Sequence, residues 1–486
     1  MNLFMKLQTT ITDSCSRRKV SVLKTKMDKN IYRLSAAIAL FIISFSYISF
    51  NSAGTPYDAG YYWTTADLVF IDGFHLLNFP ETFRGYFLPV LLSGIKLLFP
   101  GLVGWNILSS LMIALLISYV LPFIFGKSIN SPLGLVRAII TGAVFLFFWG
   151  KFAAYPLSDL PATFFMCAGV ALIKKTCETE NKYQRIICGY VCGAALYAAY
   201  NVRAIFLFGI VILIVGVIFL YREKWKSLLP LFAACLLGAC LIAIPQCVIN
   251  HQYVGVFSPK VYTEALYGYS HDLQMQQVFW GLSVPRYETY IGDTAVYPNP
   301  GVNFTDPAGV AIISKEGLTV DNFSYFTFLK LCLKYPLDML GIYTRHLISA
   351  LTICFSSAYI QDFYEPKGIL ISLSIILWLL AGVALSAKIL KREWNAKLLV
   401  YSAALVIPSG LQLLGAVEIR FALPIYLLTY SYIAQIVDWK ETFVATKGYR
   451  GILILSLAII FILWATVIGD ILSRATGANP ILLISG

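Results

Sequence analysis

The chain has 486 residues, of which 58% are hydrophobic, 15% aromatic and only 13% charged, and its mean hydropathy is +0.74. A surface this apolar does not stay in water, and the long apolar runs lack the period-two alternation of a barrel, so the composition excludes a soluble enzyme and leaves membrane-spanning helices. The net charge of +12 sits in short runs between apolar stretches, with no basic patch interleaved with aromatics, so no nucleic-acid partner is expected.

In chain order, residues 1–33 read as a basic cytoplasmic tail, from Lys6 and Arg17-Arg18-Lys19 to Arg33. The first span, about 34–50, is taken as uncleaved, since Asn51-Ser52-Ala53-Gly54 is the only candidate cleavage site; a start at Met27 would leave the orientation unchanged. Further spans are expected near 104–125, 136–152, 158–174, 186–200, 203–220, 228–249, 367–387, 397–414, 420–438 and 451–471, about 11 in all with a range of 10–13. Two more apolar stretches, 86–100 and 338–358, are read as interfacial. The first is short and holds Pro89, Gly94 and Lys96, and the second carries Arg345-His346 at its centre. With both on the outer surface, every strongly basic short loop faces the cytoplasm.

The fold class expected is therefore all-α, a polytopic transmembrane helix bundle with outer-face interfacial helices and one long extracytoplasmic loop. It divides into the tail 1–33, an N-terminal transmembrane catalytic module 34–249 with a first outer loop 51–103, the long loop 250–366 with its interfacial segment, and C-terminal helices 367–486. That loop is rich in Tyr, Pro, Gly and Asn, shows no evident soluble domain, and reads as irregular from Gly292 to Pro307; loops of such length are usually lids or binding loops. Asn303-Phe304-Thr305 and Asn322-Phe323-Ser324 match glycosylation triplets that matter only in a eukaryotic lumen. The 10 cysteines fall mostly in apolar spans and form neither a disulfide framework nor a zinc spacing. Gly-rich phosphate loops, Ser nucleophile elbows and His-Glu zinc motifs are absent from the sequence.

Polar chemistry gathers instead at one membrane surface. Directly after the first span come Tyr57-Asp58-Ala59-Gly60-Tyr61-Tyr62-Trp63, then Asp67, Asp72, His75, Glu81 and Arg84-Gly85 ahead of Pro89. Ser158-Asp159-Leu160-Pro161 opens one later span, Asn201-Val202-Arg203 another, and Glu418-Ile419-Arg420-Phe421 precedes Pro424-Ile425-Tyr426. This order resembles the GT-C superfamily of integral-membrane glycosyltransferases, nearest to the branch holding protein O-mannosyltransferases and the lipid A aminoarabinose transferase. The likeness in layout covers residues 34–440. It implies transfer of a sugar from a polyprenyl-phosphate donor to an envelope glycan, glycolipid or protein acceptor on the outer face of a multi-pass plasma (inner) membrane protein, in contact with membrane lipids. On that reading Asp58 is the general base with Asp159 as a second catalytic acid. Arg84, Arg203 and Arg420 meet the donor phosphate, because a guanidinium offers a planar fork that stays charged near lipid. Tyr61, Tyr62, His75 and Glu418 would contact sugar or acceptor. Asp58 is followed by Ala59, where many relatives carry a second acid, so no cofactor is expected beyond, at most, a divalent metal.

Each residue also has a plainer reading. Asp58 and Asp72 suit solvated loop acids, Asp159 an ordinary helix start, Arg203 and Arg420 membrane-edge anchors, His75 a loop contact, and the tyrosines an interfacial belt. Two other functions stay open. A polysaccharide polymerase or ligase using a diphosphate-linked donor needs no acid after the first helix. A flippase or transporter should show repeated halves and mid-span charge, and the sequence shows neither.

Overall fold

The structure is a computed structural model, and it describes residues 30–52, 54–69, 84–262, 273–295, 300–361, 366–393 and 395–476. An unbroken apolar run makes α1 (Asn30–Asn51). The chain then turns into two short helices, α2 (Tyr57–Leu68) and α3 (Phe87–Leu98), which pack on each other. Next come α4 (Val103–Ile124), α5 (Pro132–Ala153), α6 (Asp159–Glu178), α7 (Lys182–Val202), α8 (Phe206–Leu220) and α9 (Trp225–Val254). Beyond the long loop lie α14 (Gly368–Leu390) and α15 (Ala396–Gln412), a 3-10 turn Ile419–Ala422 running into α16 (Leu423–Ser431), α17 (Trp439–Ala445) and α18 (Arg450–Leu472). A helix stands at every position where a span is expected.

Seven of these helices are long and apolar enough to cross a bilayer: α1, α4, α5, α6, α14, the Leu228–Val254 part of α9, and Lys447–Leu472 around α18. In α18 the most apolar window has hydropathy 2.8 yet only 6% of it is buried among the described residues: Ile452, Ile454, Leu455, Ile462 and Leu463 are exposed, while Ile468 and Ile471 near its end pack inward. Such a surface is stable in lipid and not in water, which marks a helical membrane protein. The helix α3, at 12 residues, is too short to cross, and α8 and α15 are apolar but have 15 and 17 residues.

Close helix approach rests on small residues. A Cβ on Gly193 of α7 would fall 1.7 Å from the Cys235 carbonyl oxygen of α9, and one on Gly238 of α9 would fall 1.9 Å from that of Tyr190. Without hydrophobic driving force between helices in lipid, this backbone contact supplies the packing attraction. The main core joins both halves of the chain, with Trp105, Trp149, Tyr401 and Tyr426 fully buried in it.

In the long loop the part expected to be irregular, 292–307, holds one short strand, Gly301–Phe304, and up to Asp306 is otherwise without regular structure where described; around it the loop is built of regular elements. It folds into α10 (Leu273–Ser283), β1 (Arg286–Tyr290), β2 (Gly301–Phe304), α11 (Pro307–Glu316), α12 (Tyr325–Lys334), α13 (Pro336–Ala350) and β3 (Tyr359–Ile360). With β4 (Ala475–Thr476) the strands order β3-β1-β2-β4, with β1–β3 parallel and the other pairs antiparallel. This small sheet is an addition to the all-α expectation. The helices α10–α13 enclose their own core around Phe279, Ile313, Phe323 and Ile342. Asp306 caps α11 through the Ala308 and Gly309 amides and is gripped by Arg345 of α13 at 2.6 and 2.9 Å. The segment 338–358 is thus a 15-residue helix, Pro336–Ala350, with Arg345-His346 turned into protein and not into lipid. At the other border α9 runs on to Val254, so the division expected after residue 249 falls within a helix.

Candidate active site

Asp58 lies in the first turn of α2, just after α1 ends. Tyr57 enters that helix with φ +44°, a left-handed conformation costing a non-glycine residue on the order of 1–3 kcal/mol, so the surrounding contacts must hold it. They come from the long loop: the Tyr57 hydroxyl donates to the Tyr290 carbonyl at 3.3 Å, its ring lies 6.0 Å from Tyr359, and the Ala59 amide donates to the Tyr359 hydroxyl at 3.2 Å.

The Asp58 carboxylate accepts from two guanidiniums, Arg84 Nη2 at 2.8 Å on one oxygen and Arg420 Nη2 at 2.9 Å on the other. Arg84 precedes Gly85, where a Cβ would stand 1.9 Å from the Asn201 carbonyl oxygen; only glycine lets this strand of chain lie on the end of α7. Asn201 in turn accepts from the Phe87 amide at 2.9 Å and donates to Gln246 of α9 at 2.8 Å, which fixes the Arg84 segment against the corner where Arg203 sits. The guanidinium of Arg84 lies 4.4 Å from the ring centre of Tyr61 and 5.2 Å from that of Tyr62. Both tyrosines therefore hold the arginine through their ring faces, and Tyr62, only 7% exposed, offers no open face to a sugar.

Arg420 also pairs with Glu418, two residues before it. Arg203 pairs with Asp159, the first residue of α6. Phe421 joins the two halves: the Arg203 and Arg420 guanidiniums lie 4.7 and 5.7 Å from its ring centre. Three acids and three arginines from α2, the 84–85 segment, the starts of α6 and α16, and the end of α7 thus form one contiguous cluster. A void of about 20 Å³ bounded by Asp159, Arg420 and Tyr155 lies beside it, room for about one water.

Burial acts to raise the Asp58 pKa, but the Arg420 and Arg84 guanidiniums outweigh it and hold the carboxyl below the usual carboxylate range. In this state Asp58 is an anion that neutralises arginines and a weak base. His75 lies outside the described residues, as do Asp72 and Glu81. Asp67 pairs with Lys96 at 2.5 Å and stays apart as a surface contact of α2 with α3. Among the described residues no group of three or more His, Cys, Asp or Glu side chains converges, and the nine described cysteines are all free.

The long loop is expected to cover the acceptor site, but the sequence does not single out which of its residues lie beside the cluster. The Tyr287 amide of β1 donates to the Val417 carbonyl at 2.9 Å, docking the strand beside Glu418. Burial, with Glu418 as a further cause, pushes the Tyr287 hydroxyl up to about 12. Glu288 and Arg286, paired at 2.5 Å and 3% and 1% exposed, stand behind it, and Arg286 also donates to the Ser349 and Thr352 carbonyls at 3.1 Å. Burial, the largest cause, raises the Glu288 pKa against the pull of Arg286. The alternation Arg-Tyr-Glu-Thr-Tyr was the available signal, a period-two strand whose charged face happens to be the buried one.

No protein-family model matches the chain, and no curated protein is found to match its sequence. What the fold defines is its class, a helical membrane protein with a buried-edge cluster of acids and arginines.

Proposed function

We propose that the protein transfers a sugar from a polyprenyl-phosphate donor to a hydroxyl of an envelope glycan, glycolipid or protein, at the extracytoplasmic face of the plasma membrane. The observation that carries this reading is the double grip of Arg84 and Arg420 on Asp58, with Arg203 one ring away. Three guanidiniums at the ends of apolar helices are a receptor for a phosphate at headgroup level, and the three carboxylates hold them in position until one arrives.

The chemistry follows from competition. Donor phosphate takes the forks of Arg84 and Arg420, and Asp58, released from them, regains ordinary basicity. The acceptor hydroxyl attacks the anomeric carbon, the bond from that carbon to the phosphate oxygen breaks, polyprenyl phosphate leaves with the electron pair, and the hydroxyl proton passes to Asp58. Asp159, locked on Arg203, positions that arginine. Base catalysis is typically worth about 10²–10⁴ in rate. Asp58→Asn should therefore fold, judged by a cooperative melting transition in detergent at a somewhat lower midpoint because Arg84 and Arg420 lose their shared carboxylate, and lose at least about 100-fold in sugar transfer. Activity within threefold of the parent would remove Asp58 from the chemistry. The presence of a third guanidinium favours, as a second reading, a diphosphate-linked donor, and an inert Asp58→Asn is the result that reading expects.

A further inference from the structure

A cavity of about 430 Å³ opens on the same end of the bundle as Asp58, between the end of α1, the end of α5 and the β3 segment. Its lining is half polar in character: Lys151 of α5, Lys367 just before α14, Ser356 and Gln361. Lys151 is half-buried and has no ion-pair or hydrogen-bond partner among the described residues, whereas the other basic groups close to the reaction centre are paired. The inner wall is the pair Tyr155 and Tyr359, packed edge to face at 4.8 Å. Behind that wall the cluster begins: Tyr359 accepts from the Ala59 amide next to Asp58, and Tyr155 bounds the void shared with Asp159 and Arg420. The cavity is thus one side chain away from the cluster, polar, cationic, and large enough for one or two sugar rings. Phe50, 92% exposed, stands at its rim.

We propose that this cavity is the acceptor subsite and selects a sugar bearing a negative charge, a phosphate or a carboxylate, through Lys151. The assignment rests on the transfer reading above. A neutral sugar would leave the half-buried Lys151 uncompensated, while an anionic one gains a charge-assisted hydrogen bond and stacks on the tyrosine wall.

The test uses the full chain in phosphatidylcholine nanodiscs and ligand-detected NMR with glucose 6-phosphate, glucuronate, glucose and inorganic phosphate as probes. The proposal expects both anionic sugars to bind at least about fivefold more tightly than glucose, Lys151→Gln to abolish that preference, and Lys151→Arg to keep it. Three results overturn it: glucose binding as well as its anionic analogues, Lys151→Gln leaving the preference intact, or inorganic phosphate matching glucose 6-phosphate. A fourth does so as well, namely loss of sugar binding when phosphatidylglycerol replaces part of the lipid, which would assign the cavity to a lipid headgroup. Donor hydrolysis in water, measured in parallel, separates this from the transfer reading. If Asp58→Asn leaves that hydrolysis unchanged, the transfer reading falls and the acceptor role with it, while the anionic-sugar preference stands or falls on the NMR alone.

Discussion

Asp58 between two guanidiniums is a carboxylate whose basicity is suppressed. The sign of the linkage follows: its folded-state pKa is depressed, so the pairing stabilises the protein above the ordinary carboxylate pKa of about 4 and is lost only as pH falls below that. The same suppression predicts a split in kinetics. If the protein is the proposed transferase, the acid limb of kcat/KM reports its free form and should lie below about pH 4, whereas that of kcat reports the donor complex and should lie at higher pH. In Arg420→Gln the free-enzyme limb should move up, because one of the two cations that depress Asp58 is gone. Steady-state rates across pH 3–8 should show an acid limb in the variant at higher pH than in the parent; profiles that superimpose would contradict the assignment. That Asp58, Arg84, Arg203 and Arg420 were worth singling out was legible in the sequence, since a charge at the edge of an apolar helix needs a partner. Which partner each takes was not legible, because Arg420 reaches Asp58 across 362 positions of chain. Tyr61 and Tyr62, expected to contact sugar or acceptor, lie against the Arg84 guanidinium, a neighbour the sequence did not disclose.

At the scale of elements, hydropathy alone located the helices, because in lipid the only constraint on a spanning segment is an apolar run of adequate length. It failed in the long loop, where strands are short and where β1 buries its charged face. It also said nothing of how helices meet. Gly193 and Gly238 decide that for α7 and α9, and they make a prediction whose sign is diagnostic. In an open helical position Gly→Ala stabilises by about 1 kcal/mol, and Gly382 of α14, with nothing within 4 Å of an added Cβ, should do so. Gly193→Ala and Gly238→Ala place the new methyl against helix backbone that cannot yield, so overpacking of about 1–3 kcal/mol should reverse the sign. Thermal unfolding in detergent should lower the midpoint for these two and leave it equal or higher for Gly382→Ala. A rise in midpoint for Gly193→Ala would mean that α7 and α9 do not approach as described.

For the molecule as a whole, the long loop and the helix bundle are parts of one site. The loop supplies Tyr290 and Tyr359 against the strained entry to α2, and β1 docks on residue 417 beside Arg420. The segment after α18 joins them as well, since β4 pairs with β2 in the sheet of the long loop. The account rests on that assembly being a receptor for the phosphate of a carrier lipid, and one measurement addresses it directly. Purified protein in liposomes is supplied with radiolabelled polyprenyl-phosphate sugars and the lipid products are separated. The account predicts release of free polyprenyl phosphate, falling at least about 100-fold in Arg420→Gln and in Asp58→Asn; donor recovered intact, whether on its original side or carried across the bilayer, would contradict it.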